Sequence, residues 1–382
     1  MPSYLDHTAT SLIDNDVLQV YSEALKKYNY NPSSLHKSGQ TSLEAMENAL
    51  AEIAEILDAS SDEIIVSSGA TESINTAIKG SHYQSRRRNH AFLTFAGEHS
   101  ATRESFAFLE KEENRGIAIL PLSNLAPDLE ELEKYLENNK IDFLSTIWVN
   151  NETGAISNIE KIKQLKNNLA PQAIFHIDAV QALGKLPISF RKTGADFLSL
   201  SLHKIGAPKG IGLLLASKNL VFTPLLHGGK QQRGRRAGTE NPALVIASAY
   251  ALKKSEQERV ESWKHAQSLR DHFISAFSKK NKSFRVLEGK DQVPHILSLY
   301  IPELRSESLM NVLTSQGFEL SIGSACQSHS NTTNPSLRAL GLNNEESRHV
   351  IRISFALDNK EEEIMNLVES LSSAIQKFGL NN

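Results

Sequence analysis

Apolar residues recur along this chain with two periods, one typical of amphipathic helices and one of buried strands. Three- and four-residue spacings over residues 17–28 and again over residues 43–57 predict two helices near the N-terminus. Thr41 and Glu44 form a candidate capping box for the start of the second helix. Beyond these helices, short apolar runs bounded by turn residues predict buried strands.

Predicted strands and helices then alternate, as in EIIVSSGATES, HAFLTFAGEHS, DLEELEKYLENN, FLSTIWV, IEKIKQLKNNL and AIFHIDAVQ. This alternation predicts an α/β fold with a mainly parallel sheet flanked by helices. Asn241 followed by Pro242 predicts the start of a long helix that continues to about Lys280. After that helix, strands and helices alternate again, which indicates a smaller second domain of α+β type.

The length of 382 residues, 40% of them hydrophobic, allows two domains with ample cores. A net charge of −3 gives no electrostatic reason to expect binding to nucleic acid or membranes. The start MPSYLDHTATS lacks a signal peptide's basic and apolar regions, so we expect a cytoplasmic protein. The single cysteine, Cys326, excludes an intramolecular disulfide and a multi-cysteine metal site from one chain, and is either a buried hydrophobe or a reactive thiol.

A lysine follows the apolar run ADFLSLSLHK directly. Open α/β sheets bind ligands at the carboxyl ends of their strands, so Lys204 is expected at such a site. A partly desolvated amine there is a candidate Schiff-base nucleophile. The alternative is an ordinary solvated turn lysine.

Other strand ends also present polar groups. The turn at Gly69, with Thr71 after it, opens a helix whose N-terminal N–H groups suit a phosphate. His99 is placed to lie over a flat ring or to transfer protons, and Asp178 to keep a pyridine nitrogen protonated. Structural roles are the alternatives for each residue: a turn without a ligand, a hydrogen-bonding histidine and a helix cap.

Two features late in the chain also carry candidate chemistry. Cys326 lies in a polar setting, between GSA and QSHSNTTN, which favours an exposed loop. Arg352, in the predicted strand VIRIS, needs an anionic partner if it is buried; that partner is either a substrate carboxylate or a structural carboxylate. The basic segment KQQRGRRAGTEN lacks the aromatic residues expected of a nucleic-acid surface.

In combination and order, six motifs resemble those of cysteine desulfurases, pyridoxal-phosphate enzymes of aminotransferase class V and fold type I. The motifs are GATES, NNETG, HIDAVQ, S-x-H-K, RGRRAGTEN and SIGSAC, at residues 69–73, 150–154, 176–181, 201–204, 233–241 and 321–326. The resemblance extends from YLDHTAT to IRIS and covers nearly the whole chain. It implies a large domain over residues 16–250 and a small domain over residues 1–15 and 251–382.

The resemblance also assigns roles to individual residues. It places pyridoxal phosphate covalently on Lys204, with His99 on the ring, Asp178 on the ring nitrogen and Gln181 on the ring hydroxyl. Asn151 and Arg352 would bind the substrate carboxylate, with Asn151 also beside the ring hydroxyl, and Cys326 would carry the persulfide. The implied phosphate ligands are Ala70, Thr71, Ser201, His203 and, from the second subunit of a homodimer, Thr239.

The implied activity converts L-cysteine to L-alanine and passes sulfur to an acceptor protein, either an iron–sulfur scaffold or a tRNA-thiolation carrier. The alternative is a class V aminotransferase or lyase in which Cys326 has no catalytic part. A third reading is a binding protein that uses its basic patch. The sequence departs from the family pattern at His7, Ala207, Lys230, Gln232 and Phe355.

Overall fold

The computed structural model describes residues 2–85, 90–322, 337–338 and 341–379. The strands are β1 (Ser3–Tyr4), β2 (Ile64–Ser67), β3 (Ala91–Phe95), β4 (Ile117–Leu120), β5 (Leu122–Ser123), β6 (Ala126–Pro127), β7 (Ile141–Ile147), β8 (Ile174–Asp178), β9 (Phe197–Ser201), β10 (Gly212–Ala216), β11 (Arg285–Val286), β12 (Ile296–Tyr300), β13 (Phe318–Glu319), β14 (Ser321–Ile322) and β15 (Val350–Ser354). The helices are α1 (Asn15–Lys27), α2 (Lys37–Ile56), α3 (Ala70–Gln84), α4 (Ser100–Glu113), α5 (Leu129–Asn138), α6 (Ile159–Leu169), α7 (Phe190–Thr193), α8 (Pro242–Lys280), α9 (Ser306–Ser315) and α10 (Glu361–Phe378).

The central sheet has seven strands in the spatial order β2, β10, β9, β8, β7, β3, β4. Strands β4, β3, β7, β8 and β9 pair in parallel, while β10 runs antiparallel to both of its neighbours. The connection from β9 to β10 is a short turn rather than a crossover helix, and a short turn joins only antiparallel strands. The prediction of a mainly parallel sheet is therefore confirmed.

The two largest apolar cores of the described residues are separate from each other. The larger sheet and the first part of α8, including Val245 and Leu252, contribute to one core. The second core contains Leu5, Phe273 from the later part of α8 and the apolar face of α10. Because α8 contributes to both, it links the two cores. The domain boundary at residue 250 stays a prediction.

The N-terminus packs with the C-terminal part of the chain. Strand β1 pairs in parallel with β13, and Asp6 forms an isolated bridge with Ser354. Strands β11, β12, β15 and β14 form a separate antiparallel sheet in that order. Among the residues that the structure describes, no helix is both long and apolar enough to span a membrane, and α8 is no exception.

The start of α2 differs from the sequence prediction. The helix begins at Lys37, and Thr41 lies inside it, so the capping box at Thr41 and Glu44 is wrong. The actual cap is His36, whose Nδ1 accepts a hydrogen bond from the Gly39 amide at 3.1 Å. Histidine is not among the residues preferred at this position, which explains why the sequence pattern pointed further along the chain.

We expect Leu5→Ala to destabilise the protein by about 2–5 kcal/mol, because it removes a fully buried side chain from the second core. Leu35→Ala is the matched control, since Leu35 is 92% exposed, and its effect should stay within about 0.5 kcal/mol. Urea denaturation followed by circular dichroism measures both. Equal effects of the two substitutions would contradict the docking of the N-terminus into this core.

Candidate functional site

Parallel strands bring four of the predicted site residues to one edge of the sheet. His99 follows β3, Asn151 follows β7, Asp178 ends β8 and Lys204 follows β9. Lys204 lies in a 3₁₀ turn, Leu202–Ile205, that ends at Gly206 with a φ of 79°. Glycine adopts this left-handed conformation without strain, which allows the chain to turn sharply after the lysine.

The N-terminal segment covers Lys204. The lysine Nζ donates hydrogen bonds to the carbonyl oxygens of Thr8, at 2.8 Å, and Ala9, at 2.6 Å. Thr10 Oγ1 lies 2.9 Å from His203 Nδ1, and Ser11 Oγ donates to the Lys204 carbonyl oxygen at 2.8 Å. Lys204 is thus held at the strand end by backbone groups that are more than 190 residues away in the sequence.

His99 caps α4 and is held as a neutral imidazole. Its Nδ1 accepts a hydrogen bond from the Ala101 amide at 3.1 Å, so the proton of the neutral ring is on Nε2. Burial, with smaller contributions from the positive charges of Lys204 and Arg103, lowers the pKa of His99 to about 4. At neutral pH the ring carries no charge, which suits contact with an aromatic cofactor.

Asp178 is a buried carboxylate, with 2% of its surface exposed. Its Oδ1 accepts a hydrogen bond from the Val180 amide at 3.0 Å. Burial raises the pKa of Asp178 to about 6, while the Val180 hydrogen bond and the charge of Lys204 act in the opposite direction. A protonated pyridine nitrogen would bring a positive N–H group to this carboxylate and offset the cost of its burial, so the residue fits the ring of pyridoxal phosphate.

Glu98, which the sequence analysis did not single out, lies beside this group. It is 1% exposed, and its Oε1 accepts a hydrogen bond from the Ile147 amide at 2.7 Å. Burial, with a smaller contribution from the charge of Asp178, raises the pKa of Glu98 to about 8 against the effect of that hydrogen bond. Glu98 is therefore protonated at neutral pH and leaves Asp178 as the ionised carboxylate. Its position directly before His99 in the sequence is the feature that could have identified it as part of the site.

Gln181 connects Asp178's strand end with the N-terminal segment. Its Nε2 donates to the Thr8 carbonyl oxygen at 3.0 Å, and its Oε1 accepts from Lys185 Nζ at 3.4 Å. The expected contact of Gln181 with a ring hydroxyl stays a prediction. Lys185 was not predicted as part of the site, although it follows Gln181 by four residues in the sequence.

The start of α3 leaves room for a phosphate. The helix is preceded by Gly69, which has no side chain to cap the first N–H groups, and Ala70 and Thr71 are the first two helical residues. Gly212 in β10 permits this close packing, because a Cβ there would lie 2.5 Å from the Gly69 carbonyl carbon. Uncapped N–H groups at the N-terminus of a long helix are suited to bind a phosphate.

Of the other predicted phosphate ligands, Ser201 is buried at the end of β9, and His203 contacts Thr10. Burial, with smaller contributions from the charges of Lys204 and Lys209, lowers the pKa of His203 to about 4. Thr239 is exposed. Its predicted contact with a second subunit stays a prediction.

The basic segment before Thr239 is attached to its own chain. Gln232 accepts a hydrogen bond from the Val66 amide at 2.6 Å and donates to the Val66 carbonyl oxygen at 2.9 Å. Its side-chain amide thus forms the same two hydrogen bonds with the edge strand that the backbone of a neighbouring strand would form. Arg236 Nε forms an ion pair with Glu72 Oε1 at 2.9 Å, and Arg235 contacts the Asp62 carbonyl oxygen. These internal contacts give Arg235 and Arg236 structural roles, which counts against a nucleic-acid surface.

Arg352 is buried on β15 and bonded to acidic groups. Its Nη2 contacts Asp6 Oδ1 at 3.1 Å, and its Nη1 lies 3.4 Å from Glu152 Oε1. The same Nη1 donates to the Asn151 carbonyl oxygen at 3.0 Å, and Asn151 Nδ2 donates to Glu152 Oε1 at 2.8 Å. The structural ion pair considered for Arg352 is thus present, and it orients the guanidinium beside Asn151. Binding of a substrate carboxylate by either residue stays a prediction.

Cys326 lies outside the described residues, within residues 323–336. Its position in a loop and its catalytic role therefore stay predictions. The strand that precedes this segment, β14, pairs with β15 through Ser321 and Arg352. The last described residue before this segment, Ile322, pairs with Ile351 of β15.

Comparison with known proteins identifies the family. A family profile described as aminotransferase class V matches residues 3–367. The chain belongs to this family. A putative cysteine desulfurase, IscS 1, from Bacillus subtilis is 35% identical over 380 residues, which are 98% of this chain and 99% of the relative. The cysteine desulfurase IscS of Vibrio vulnificus is also 35% identical, over 99% of this chain and 94% of its own.

Solved structures agree with this relationship. A protein named NifS-like superposes with a TM-score of 0.92 at 30% identity, covering 99% of this chain and 100% of its own. SspA in complex with cysteine superposes with a TM-score of 0.81 at 27% identity, covering 93% of this chain and 99% of its own. The class V protein described here has the fold of type I pyridoxal-phosphate enzymes, is an enzyme of the cysteine desulfurase type and uses pyridoxal phosphate.

We expect the imidazole of His99 to stay neutral down to a pH near its lowered pKa of about 4. Because the folded state then binds fewer protons than the unfolded state, this residue reduces stability as the pH falls from 6.5 towards that value. Proton–nitrogen NMR of the imidazole groups measures the titration, with His99→Gln to assign the signal. A midpoint near the ordinary histidine value of about 6.5 would show that the site does not hold the ring neutral.

Proposed function

We propose that this protein is a cysteine desulfurase that converts L-cysteine to L-alanine and transfers the sulfur to Cys326. The observation that carries the proposal is the convergence of Lys204, Asp178 and a neutral His99 at the carboxyl edge of the parallel sheet. This arrangement offers an amine, a buried carboxylate and an uncharged ring to one flat cofactor. The similarity to cysteine desulfurases over nearly the whole chain supports the choice of reaction.

The residues present can hold pyridoxal phosphate. Lys204 would bind it covalently, Asp178 would face the ring nitrogen, and Gln181 and Asn151 would lie near the ring hydroxyl. The N–H groups of Ala70 and Thr71, with Ser201 and His203, would hold the phosphate. When bound, this cofactor withdraws electrons from the α-carbon of an amino acid and so makes its proton labile.

The chain's own groups then supply binding and proton transfer. The Arg352 guanidinium would hold the substrate carboxylate through two parallel hydrogen bonds, in exchange for part of its present contact with acidic groups. The Lys204 amine would take the proton from the substrate α-carbon. His99, with its proton on Nε2, is suited to hold or donate a proton at the substrate side of the site.

Sulfur transfer involves one thiolate and balances without an added oxidant. The Cys326 thiolate attacks the substrate sulfur, a sulfur–sulfur bond forms, and the bond between the substrate sulfur and its β-carbon breaks. The β-carbon gains a proton, which gives alanine, and Cys326 retains the persulfide. A second thiol of an acceptor protein would then remove the sulfur.

The active form proposed here is a homodimer. Thr239 is exposed at the end of the basic segment, and the ion pair between Arg236 and Glu72 fixes this segment close to the start of α3. A second copy of the chain would present Thr239 to the phosphate held at that helix. We place the enzyme in the cytoplasm, where a reduced Cys326 and acceptor thiols are available.

We expect Cys326→Ser to retain bound cofactor and to bind cysteine but to release no sulfide or alanine, because a hydroxyl cannot accept the sulfur. Wild-type protein treated with cysteine in the absence of a reductant should gain one sulfur atom on the peptide that contains Cys326. Mass spectrometry and a parallel sulfide and alanine assay measure these outcomes. Sulfide release by the Ser variant at the wild-type rate, or faster amino transfer to a keto acid by the wild type, would instead favour the class V aminotransferase or lyase alternative.

We expect Arg352→Lys to weaken cysteine binding by about 1.5–3 kcal/mol, since lysine keeps the charge but loses the bidentate geometry. Cofactor content should not change. The matched control is Arg285→Lys, because Arg285 is an exposed arginine on another strand of the same sheet. Spectroscopic titration with cysteine measures the affinity of both variants. Unaltered cysteine affinity in Arg352→Lys would show that Arg352 has a structural role only and does not bind the substrate.

A further inference from the structure

A cavity of about 620 Å³ lies against the N-terminal segment. Its wall includes residues 11–15 and 17, the middle of α8 and residues 354–358 at and after the end of β15. Of the residues proposed to hold the cofactor, only Lys204 lines it. The cavity is therefore adjacent to the proposed cofactor site without being part of it.

Two buried imidazole groups in this wall have nitrogen atoms without a hydrogen bond. His7 is 8% exposed and His295 is 4% exposed, and both line the cavity. Neither His7 Nε2 nor His295 Nδ1 has a hydrogen-bond partner among the residues that the structure describes. Buried polar atoms are usually satisfied, so two such atoms in one cavity wall indicate a polar ligand or ordered water.

His295 can donate a hydrogen bond from its unsatisfied nitrogen. Its Nε2 lies 3.1 Å from Ser262 Oγ, and either atom can be the donor, depending on the tautomer of the ring. When Nε2 accepts from the serine hydroxyl, the proton of the neutral ring is on Nδ1. An acceptor atom of a ligand at Nδ1 would favour this tautomer.

Lys185 adds an amine to the same wall. Its Nζ has a long hydrogen bond of 3.4 Å to Gln181 Oε1. Burial, together with the charge of Lys204, lowers the pKa of Lys185 to about 7. Burial is also the largest cause of the lowered pKa values of His7 and His295, and the charge of Lys185 acts in the same direction on both. On His7, Asp358, the Tyr4 backbone and Asp6 act in the opposite direction and more strongly than Lys185. Lys185 thus disfavours the protonated form of both rings, and an anion among the three groups would offset this effect.

The carboxylates that line the cavity do not neutralise the imidazole and amine groups completely. Asp14 is held by Lys254 Nζ at 2.7 Å, which is itself part of the wall. Asp358 is 60% exposed, and its Oδ1 lies 3.7 Å from His7 Nε2, beyond hydrogen-bond distance. Glu258 also lines the cavity, on α8. Among the carboxylates of the described residues, Asp358 is the one within ion-pair distance of His7 Nε2.

From this arrangement we infer that the cavity beside Lys204 binds a small oxyanion, either a short carboxylate or an inorganic anion such as sulfate, through Lys185, His7 and His295. Lys185 supplies the positive charge, and His295 Nδ1 donates a hydrogen bond. His7 contributes a second charge when the bound anion favours its protonation. The ligand is distinct from the substrate cysteine, whose carboxylate is assigned to Arg352.

Acetylation of Lys185 in the cofactor-loaded enzyme tests the site. The protein is treated with an amine-acetylating reagent at a pH close to the pKa of Lys185, about 7, in sodium sulfate, sodium acetate or sodium chloride of equal ionic strength, and peptides are quantified by mass spectrometry. An oxyanion favours the protonated amine and blocks access to it. We expect sulfate, acetate or both to slow acetylation of Lys185 by about tenfold relative to chloride, the scale of one charged hydrogen bond.

The salt that protects Lys185 from acetylation at the lower concentration, sulfate or acetate, shows whether the site prefers an inorganic anion or a carboxylate. Lys209 is the internal control, since it is exposed and does not line the cavity, and its acetylation rate should be equal in all three salts. Equal rates for Lys185 in all three salts, or equal slowing of Lys209, would overturn the proposal. This readout does not depend on desulfurase activity.

Two substitutions sharpen the test. Asp358→Asn removes the competing carboxylate near His7, so protection of Lys185 should require less oxyanion. His295→Phe removes the donor and should weaken protection about tenfold. If neither substitution shifts the concentration required for protection while both proteins retain the wild-type Tm, the anion binds elsewhere and the proposal fails.

Discussion

The parallel pairing of β7, β8 and β9 is the constraint on which the site depends. Its register places Ile147 opposite Asp178, and Asp178 opposite Ser199. This fixes the ends of three strands at one edge, so the groups that follow them are brought together by backbone hydrogen bonds rather than by their own contacts. A one-residue slip in this register would turn Asp178 to the other face of the sheet and remove it from the site.

Burial then sets the charge of each group at this edge. The same low-dielectric surroundings keep His99 neutral and Glu98 protonated, whereas the Val180 amide and the charge of Lys204 favour the ionised form of Asp178. One negative charge therefore remains where a pyridine nitrogen would be protonated. Arg352 follows a different principle: it is buried with two carboxylates, and their ion pairs orient it before any substrate arrives.

The sequence predicted those features that depend on neighbouring residues. The apolar runs and helical spacings located β8, β9 and α6, and the Asn241-Pro242 pair located the start of α8. Lys204 was placed after a strand for the same local reason. The predicted start of α2 was wrong because the helix is capped by a histidine and not by one of the usual capping residues, and because Gly39 packs closely against Ser34.

Contacts between distant parts of the chain were not predictable from one sequence. The carbonyl oxygens of Thr8 and Ala9 accept hydrogen bonds from Lys204, which is 196 and 195 residues away in the sequence. Every residue has a backbone carbonyl group, so the residue types at these positions could not indicate the contact. Gln232 was visible only as a departure from the family pattern. Its side-chain amide forms hydrogen bonds with both backbone groups of Val66, which requires a donor and an acceptor in one side chain.

Lys204, at the carboxyl end of β9, is the amine that we propose holds pyridoxal phosphate. Borohydride reduction of the cofactor-loaded enzyme fixes the cofactor to whichever amine carries it, and peptide mapping by mass spectrometry then locates that amine. Lys185 is a stringent comparison, because it lies nearby and its pKa is lowered to about 7. We expect the reduced cofactor on Lys204 alone. Its recovery on Lys185 or Lys209 would contradict this expectation.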